Sequence, residues 1–174
     1  MPGDFELTAD ELRCVAGYVT AFAAELLPVF EHERPDDPRP RAAIGAAEAF
    51  IAGAPRSKLQ RVTSMEAHRA ASDAPTEAAR LAAQAAGDAA SAAYLHPIAD
   101  GHQVGHILRA AANAARIAEL RAGDEPGTGD AMIARARERA TPELVGILSR
   151  YPKAPAGRSR AAQLMSALDA VLRR

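Results

Sequence analysis

TADELRCVAGYVTAFAAELLPVF, residues 8–30, decides the fold. Thr8 is followed three residues later by Glu11, the spacing of a capping box, in which each side chain accepts a hydrogen bond from the other's backbone N–H. Leu12, Val15, Val19, Phe22, Leu26 and Phe30 then recur at spacings of three and four. That period puts all six on one face of an α-helix, an apolar stripe of the width a core helix needs.

Outward from this helix the same signals repeat and strand signals do not. No Asn-Gly or Asp-Gly pair stands between alternating apolar runs as a hairpin signal, and β-branched residues never cluster. A second helix is expected to start inside RPDDPRPRAAI, residues 34–44, with Asp37 as N-cap and Pro38 at the first helical position. Ile44, Ala47 and Ile51 would face inward together with Phe50, and Gly53 would close the helix. A third helix is expected over about 57–72, with Leu59, Val62 and Met65 as its core anchors. The fourth, about 76–95, contains AARLAAQAAGDAASAAY and has almost no large apolar side chain. Its small residues would let neighbouring helices approach closely.

His96-Pro97 ends that helix. A fifth follows over about 100–121, with Val104, Ile107, Leu108, Ala111, Ala115 and Ala118 on one side. GDEPGTGD, residues 123–130, reads as a loop, and a sixth helix as starting at Asp130. Thr141-Pro142 starts a short seventh helix, and Ser159 to Leu172 forms the last, packing inward through Leu164, Leu168, Val171 and Leu172. The expected fold is therefore all-α: residues 1–174 as one domain, a bundle of about seven to eight helices.

Composition narrows the function classes. A chain of 174 residues, 48% hydrophobic and 25% charged, can bury a sizeable core. Its net charge of -1 gives no steering towards nucleic acid or acidic membranes. Cys14 is the single cysteine, so no intrachain disulfide forms, which suits a reducing cytoplasm. The acidic start MPGDFELTADEL does not read as a secretory signal. No window is expected to supply the roughly 20 apolar residues of a membrane span.

Three motifs carry candidate chemistry. RPDDPRPR holds more charge than a helix start requires: Arg34, Asp36, Arg39 and Arg41 surround the capping Asp37. Guanidinium and carboxylate pair through two parallel hydrogen bonds, so these residues can knit the first two helices together or form a rigid knuckle that docks a partner. His102 and His106 stand four apart on one helical face, with His96 one kink away, so a metal or small-ligand site is an alternative. HQVGH lacks the glutamate of the HExxH zinc motif, and no cofactor is expected. Cys14, beside the apolar stripe, reads as an inert buried thiol. Arg135, Arg137 and Arg139, or Arg158 and Arg160, are the candidate nucleic-acid contacts, but aromatics are only 4% and acids alternate with the arginines. The reading is no nucleic acid and no membrane, with a homodimer through the alanine-rich helix as a further expectation.

The order of motifs has a likeness. ERPDDPRPRAAI, then AYLHPIADGHQVGHILRAAANAARIAEL, then ERATPELVGILSRYPKAPAGRSRAAQLMSALD resembles the bacterial putative immunity protein family, the immunity-protein-five-like domain, from about residue 7 onward. Some members of that family carry the label of an exonuclease subunit. The resemblance implies an all-helical cytoplasmic antidote, not an enzyme, that binds a protein toxin and neutralises it by occlusion. The residues expected at the contact are Arg34, Asp36, Asp37, Arg39 and Arg41, followed by His96, His102 and His106.

Overall fold

The computed structural model describes residues 4–174. Eight α-helices follow one another: α1 (Ala9–Glu33), α2 (Arg39–Ile51), α3 (Lys58–Asp73), α4 (Glu77–Ser91), α5 (Val104–Arg121), α6 (Pro126–Arg139), α7 (Pro142–Leu148) and α8 (Arg160–Leu172). Short 3-10 turns at Ala92–Tyr94 and Gly101–Gln103 bracket the loop between α4 and α5. No strand occurs among the described residues.

α1 is built as its sequence demands. Thr8 accepts a hydrogen bond from the Glu11 N–H at 3.1 Å, and Glu11 accepts one from the Thr8 N–H at 2.9 Å. All six stripe residues are buried. Each such side chain contributes about 1.5–3 kcal/mol on leaving water. By length and a mean hydropathy of 1.4, α1 could also cross a membrane, which corrects the sequence expectation that no window would qualify. Here 61% of that window is buried inside the protein, against α2, α4, α5 and α7.

α2 begins one residue later than expected. The Asp37 carboxylate accepts from the Arg39 N–H at 3.1 Å, a capping contact, but the first helical bond runs from Ala42 N–H to the Pro38 carbonyl. Pro38 thus stands at the cap and Pro40 in the first turn, where a missing N–H removes no helical bond. Gly53, at φ 109, provides the left-handed residue that turns the chain away.

The largest departure from expectation is the rotation of α3. Leu59, Val62 and Met65 are 52%, 41% and 51% exposed, whereas Gln60, Ser64, Ala67, Ala70 and Ala71 are buried. The helix docks through its small and polar side. Gln60 donates to the Ala46 carbonyl at 3.0 Å, and Ser64 donates to the Gly87 carbonyl at 2.8 Å. Large aliphatic side chains on that side would push α3 away from α2 and α4.

α4 is the central helix, in contact with α1, α2, α3 and α5. Its alanines are spent inside the chain, so its alanine-rich surface is not free to make a homodimer. α5 starts at Val104, not Asp100, because Asp100 caps the 3-10 turn by accepting from the His102 N–H at 2.9 Å. α6 starts at Pro126, within the stretch read as loop. Glu125 accepts from the Gly127 N–H, Pro126 takes the first helical position, and the following glycines hid this start from a sequence reading. Gly129 packs against Glu119, which joins α5 to α8 through Arg160 at 2.6 Å.

Candidate functional site

The charged knuckle is folded in on itself. Arg39 Nε donates to Asp37 Oδ1 at 2.9 Å and Nη2 to Asp37 Oδ2 at 2.7 Å. The same Nη2 reaches Asp73 Oδ2, at the end of α3, at 3.0 Å. Arg34 donates to the Asp73 carbonyl at 3.1 Å, and Arg41 grips Glu31 of α1 with two bonds of 2.7 Å. These pairs tie the end of α1, the start of α2 and the end of α3. The Arg39 guanidinium holds the Asp37 carboxyl below its ordinary value, and Arg41 does the same to Glu31. Asp36 is exposed, with no side-chain hydrogen bond among the described residues.

The three histidines expected to act together are not brought together. His102 is exposed and pairs with Asp100 at 2.8 Å. His96 is exposed, and its backbone is held by Gln103 and Tyr151. His106 is half-buried and turns inward. Among the described residues no group of three or more His, Cys, Asp or Glu side chains is placed to hold a metal ion.

His106 instead joins residues that the sequence did not single out. Asp88, in the last turn of α4, is 0% exposed. Arg109 of α5 pairs with it through Nε–Oδ2 at 2.8 Å and Nη2–Oδ1 at 2.5 Å. Two imidazoles lean on the same Oδ1: His68 Nε2 of α3 at 3.6 Å and His106 Nδ1 at 4.0 Å. Both distances exceed a hydrogen bond. The buried His106 Nδ1 has no partner. Gly87 makes the approach of His68 possible, since a Cβ there would lie 2.6 Å from the ring.

Burial pushes both imidazoles below their ordinary value, against the pull of Asp88. Burial also works against the Arg109 charge, but Asp88 more than offsets it. The arrangement has the acid and base of a catalytic dyad without a free nucleophile beside it. Ser64 gives its hydrogen to the Gly87 carbonyl, and Ser91 gives its own to the Asp88 carbonyl. What the cluster does is tie α4 to α5 through one desolvated ion pair, with His68 of α3 packed against it. A lone aspartate in a run of alanines was the one signal that could have found it.

The remaining candidates are placed plainly. Cys14 is partly exposed, in a cleft with Tyr18, Arg139 and Thr141, and burial raises its thiol above the ordinary value. Arg139 pairs with Glu25 at 3.0 Å and covers the Phe22 ring, and Arg160 is held by Glu119. Arg135 lies 3.9 Å from Glu25.

The outer side of α3 is different. Arg56 and Arg61 both lie over the Tyr94 ring, at 5.3 and 4.8 Å, and Tyr94 donates to the Ser57 carbonyl. Neither arginine, nor Lys58, has a carboxylate partner within 4.0 Å among the described residues.

Compared with known proteins, residues 6–143 match the model of a family described as Imm-5 like putative immunity protein. The match ends before α8, so the last part of the sequence resemblance lies beyond it. No curated protein and no solved structure matches the chain.

Proposed function

The chain belongs to the Imm-5 like putative immunity protein family, and from that premise we propose that it is a cytoplasmic, non-enzymatic binder that neutralises a protein toxin by covering it. The observation that carries this reading is the family match over residues 6–143. The geometry supports it in a second way. Two of the candidate acids are engaged in ion pairs within the chain: Asp88 with Arg109, and Asp37 with Arg39. A scaffold cross-linked in this way keeps its shape, which is what an occluding protein needs.

The metal alternative at His96, His102 and His106 has no supporting group of three or more ligand side chains among the described residues, and of the three histidines only His106 turns inward. Binding through Arg34, Asp36, Asp37, Arg39 and Arg41 would require a partner to compete with bidentate pairs already made. Asp36, exposed and without a side-chain hydrogen bond among the described residues, is the member free to meet one at lower cost.

The test is a pull-down with the tagged chain from cells that carry its gene, followed by toxicity assays on the prey. One protein should co-purify in stoichiometric amount, arrest growth when expressed alone, and lose that effect when the chain is co-expressed. Neutralisation at a small fraction of equimolar chain would show turnover and overturn the non-enzymatic reading. A prey without toxicity would overturn the antidote reading.

A further inference from the structure

We propose that the outward face of α3, from Arg56 to Arg69, is the docking surface for a protein partner that presents carboxylates around an apolar ridge. This inference rests on the binder reading and deepens it, since it names a face and the chemistry that fits it.

The first observation is where the apolar surface lies. Four large hydrophobic side chains are exposed in the described chain: Leu59, Val62, Met65 and Ile98. Three are on α3 at successive spacings of three, so they form one band along the helix. The fourth, 38% exposed, sits in the loop that follows Tyr94. The band is outward because the inner side is already specified. Gln60 and Ser64 reach backbone carbonyls of α2 and α4, and Ala67, Ala70 and Ala71 let the backbones come close. Folding alone gains nothing from leucine, valine and methionine in water.

The second observation is charge. Many arginines elsewhere are paired with carboxylates, among them Arg39, Arg41, Arg109, Arg116, Arg139, Arg160 and Arg173, whereas Arg34, Arg80, Arg121, Arg137 and Arg158 are not, among the described residues. Arg56, Lys58 and Arg61 make none among the described residues. They cluster at the N-terminal end of α3, where no acidic residue occupies the first turn. A helix N-terminus carries partial positive charge, so cations there are set against the macrodipole. Glu66 is the carboxylate within this face, and Arg69 already neutralises it. The face is therefore a positive rim around an apolar band.

These facts select the occupant. A second copy would bring the same three cations against one another. An anionic bilayer would meet Glu66 and a helix whose inner side is tied down along its length, so the helix could not roll its apolar band into lipid. A folded protein surface with carboxylates fits better. The two guanidinium groups laid on Tyr94 are planar forks already held in place, which suits carboxylate recognition. Tyrosine, methionine and arginine are also the residue types that concentrate at the cores of protein interfaces.

The experiment uses the full chain with p-benzoylphenylalanine at position 62, or at position 138 on exposed α6 as the control. Each is expressed in cells that carry the gene, irradiated, and the adducts are sequenced. Position 62 should cross-link to one protein, at a segment containing Asp or Glu. Arg61→Glu should lower the yield at least ~10-fold while the helical circular dichroism is unchanged. A reciprocal acid-to-Arg change in the partner segment should restore it. Should Arg61→Glu disturb the fold, Lys58→Glu gives the same reading from a fully outward position. Adducts from position 138 alone would leave the binder reading standing and overturn this surface. Adducts with lipid or with the chain itself would replace the occupant. No adduct from position 62, when the pull-down above does yield a partner, would overturn this surface and leave the binder reading standing.

Discussion

α1 and α3 each carry a band of large apolar residues, and the two bands are placed in opposite senses. In α1 the large apolar residues face the core and the polar ones face out. In α3 the core side is Gln60, Ser64 and three alanines, and the large apolar residues face solvent. α1 is held by area removed from water, whereas α3 is held by directed bonds at short range. A helix docked in the second way leaves its apolar side chains for another use. The contrast separates residues kept for folding from residues available for a partner.

The largest effects come from breaking what holds each helix. Phe22 is fully buried in α1, and Phe22→Ala should cost about 3–5 kcal/mol, read from urea unfolding followed by circular dichroism. On the polar side Asp88→Ala should cost about as much, roughly 3–5 kcal/mol, because it strands the Arg109 charge. The double variant Asp88→Leu, Arg109→Met should recover most of that loss. If the double is as damaged as the single, the ion pair is not what ties α4 to α5.

A smaller effect distinguishes the helices by pH. Burial holds His68 and His106 below the ordinary imidazole value of 6.5, so the folded state prefers neutral rings. As pH falls through 6.5 the unfolded chain takes up protons first, and stability is lost with acidification. It is fully present above that value. His68→Asn with His106→Asn should flatten the melting temperature between pH 7 and 5, whereas Phe22→Ala should lower the curve without changing its slope. The carboxylates held low by arginine, such as Asp37 and Glu31, lose their contribution in a more acidic window. The smallest effect belongs to the outer band. Val62→Ser should change stability by no more than about 0.5 kcal/mol in either direction. A loss well beyond that would mean the band is part of the core and not a free surface.

Much of this architecture could be read without coordinates, for identifiable reasons. Thr8, Thr141 and Ser159 cap helices where expected, because capping is local chemistry between residues three apart. The stripes of α1, α5 and α8 are periodic and unopposed. α3 misled because it offers two candidate faces, one of large apolar residues and one of small residues with hydrogen-bonding groups. Only the neighbouring backbones of α2 and α4 decide between them. The knuckle was legible as Asp–Arg pairing, but its anchor, Asp73, comes from a distant helix. The cluster at Asp88 was not legible, since His68, Asp88, His106 and Arg109 are drawn from three helices and no local spacing connects them.

The docking of α3 has a consequence for motion. It lies closer to α2 and α4 than large side chains would allow, and its bonds to Ala46 and Gly87 fix it there. Any opening of α3 must break both bonds together with the Asp73–Arg39 pair, a sub-global excursion with a free energy no greater than that of complete unfolding. A protein bound across its outer band would quench that excursion. Complex formation would thus register first as a slowing of amide hydrogen exchange along α3, before any atom of the core had moved.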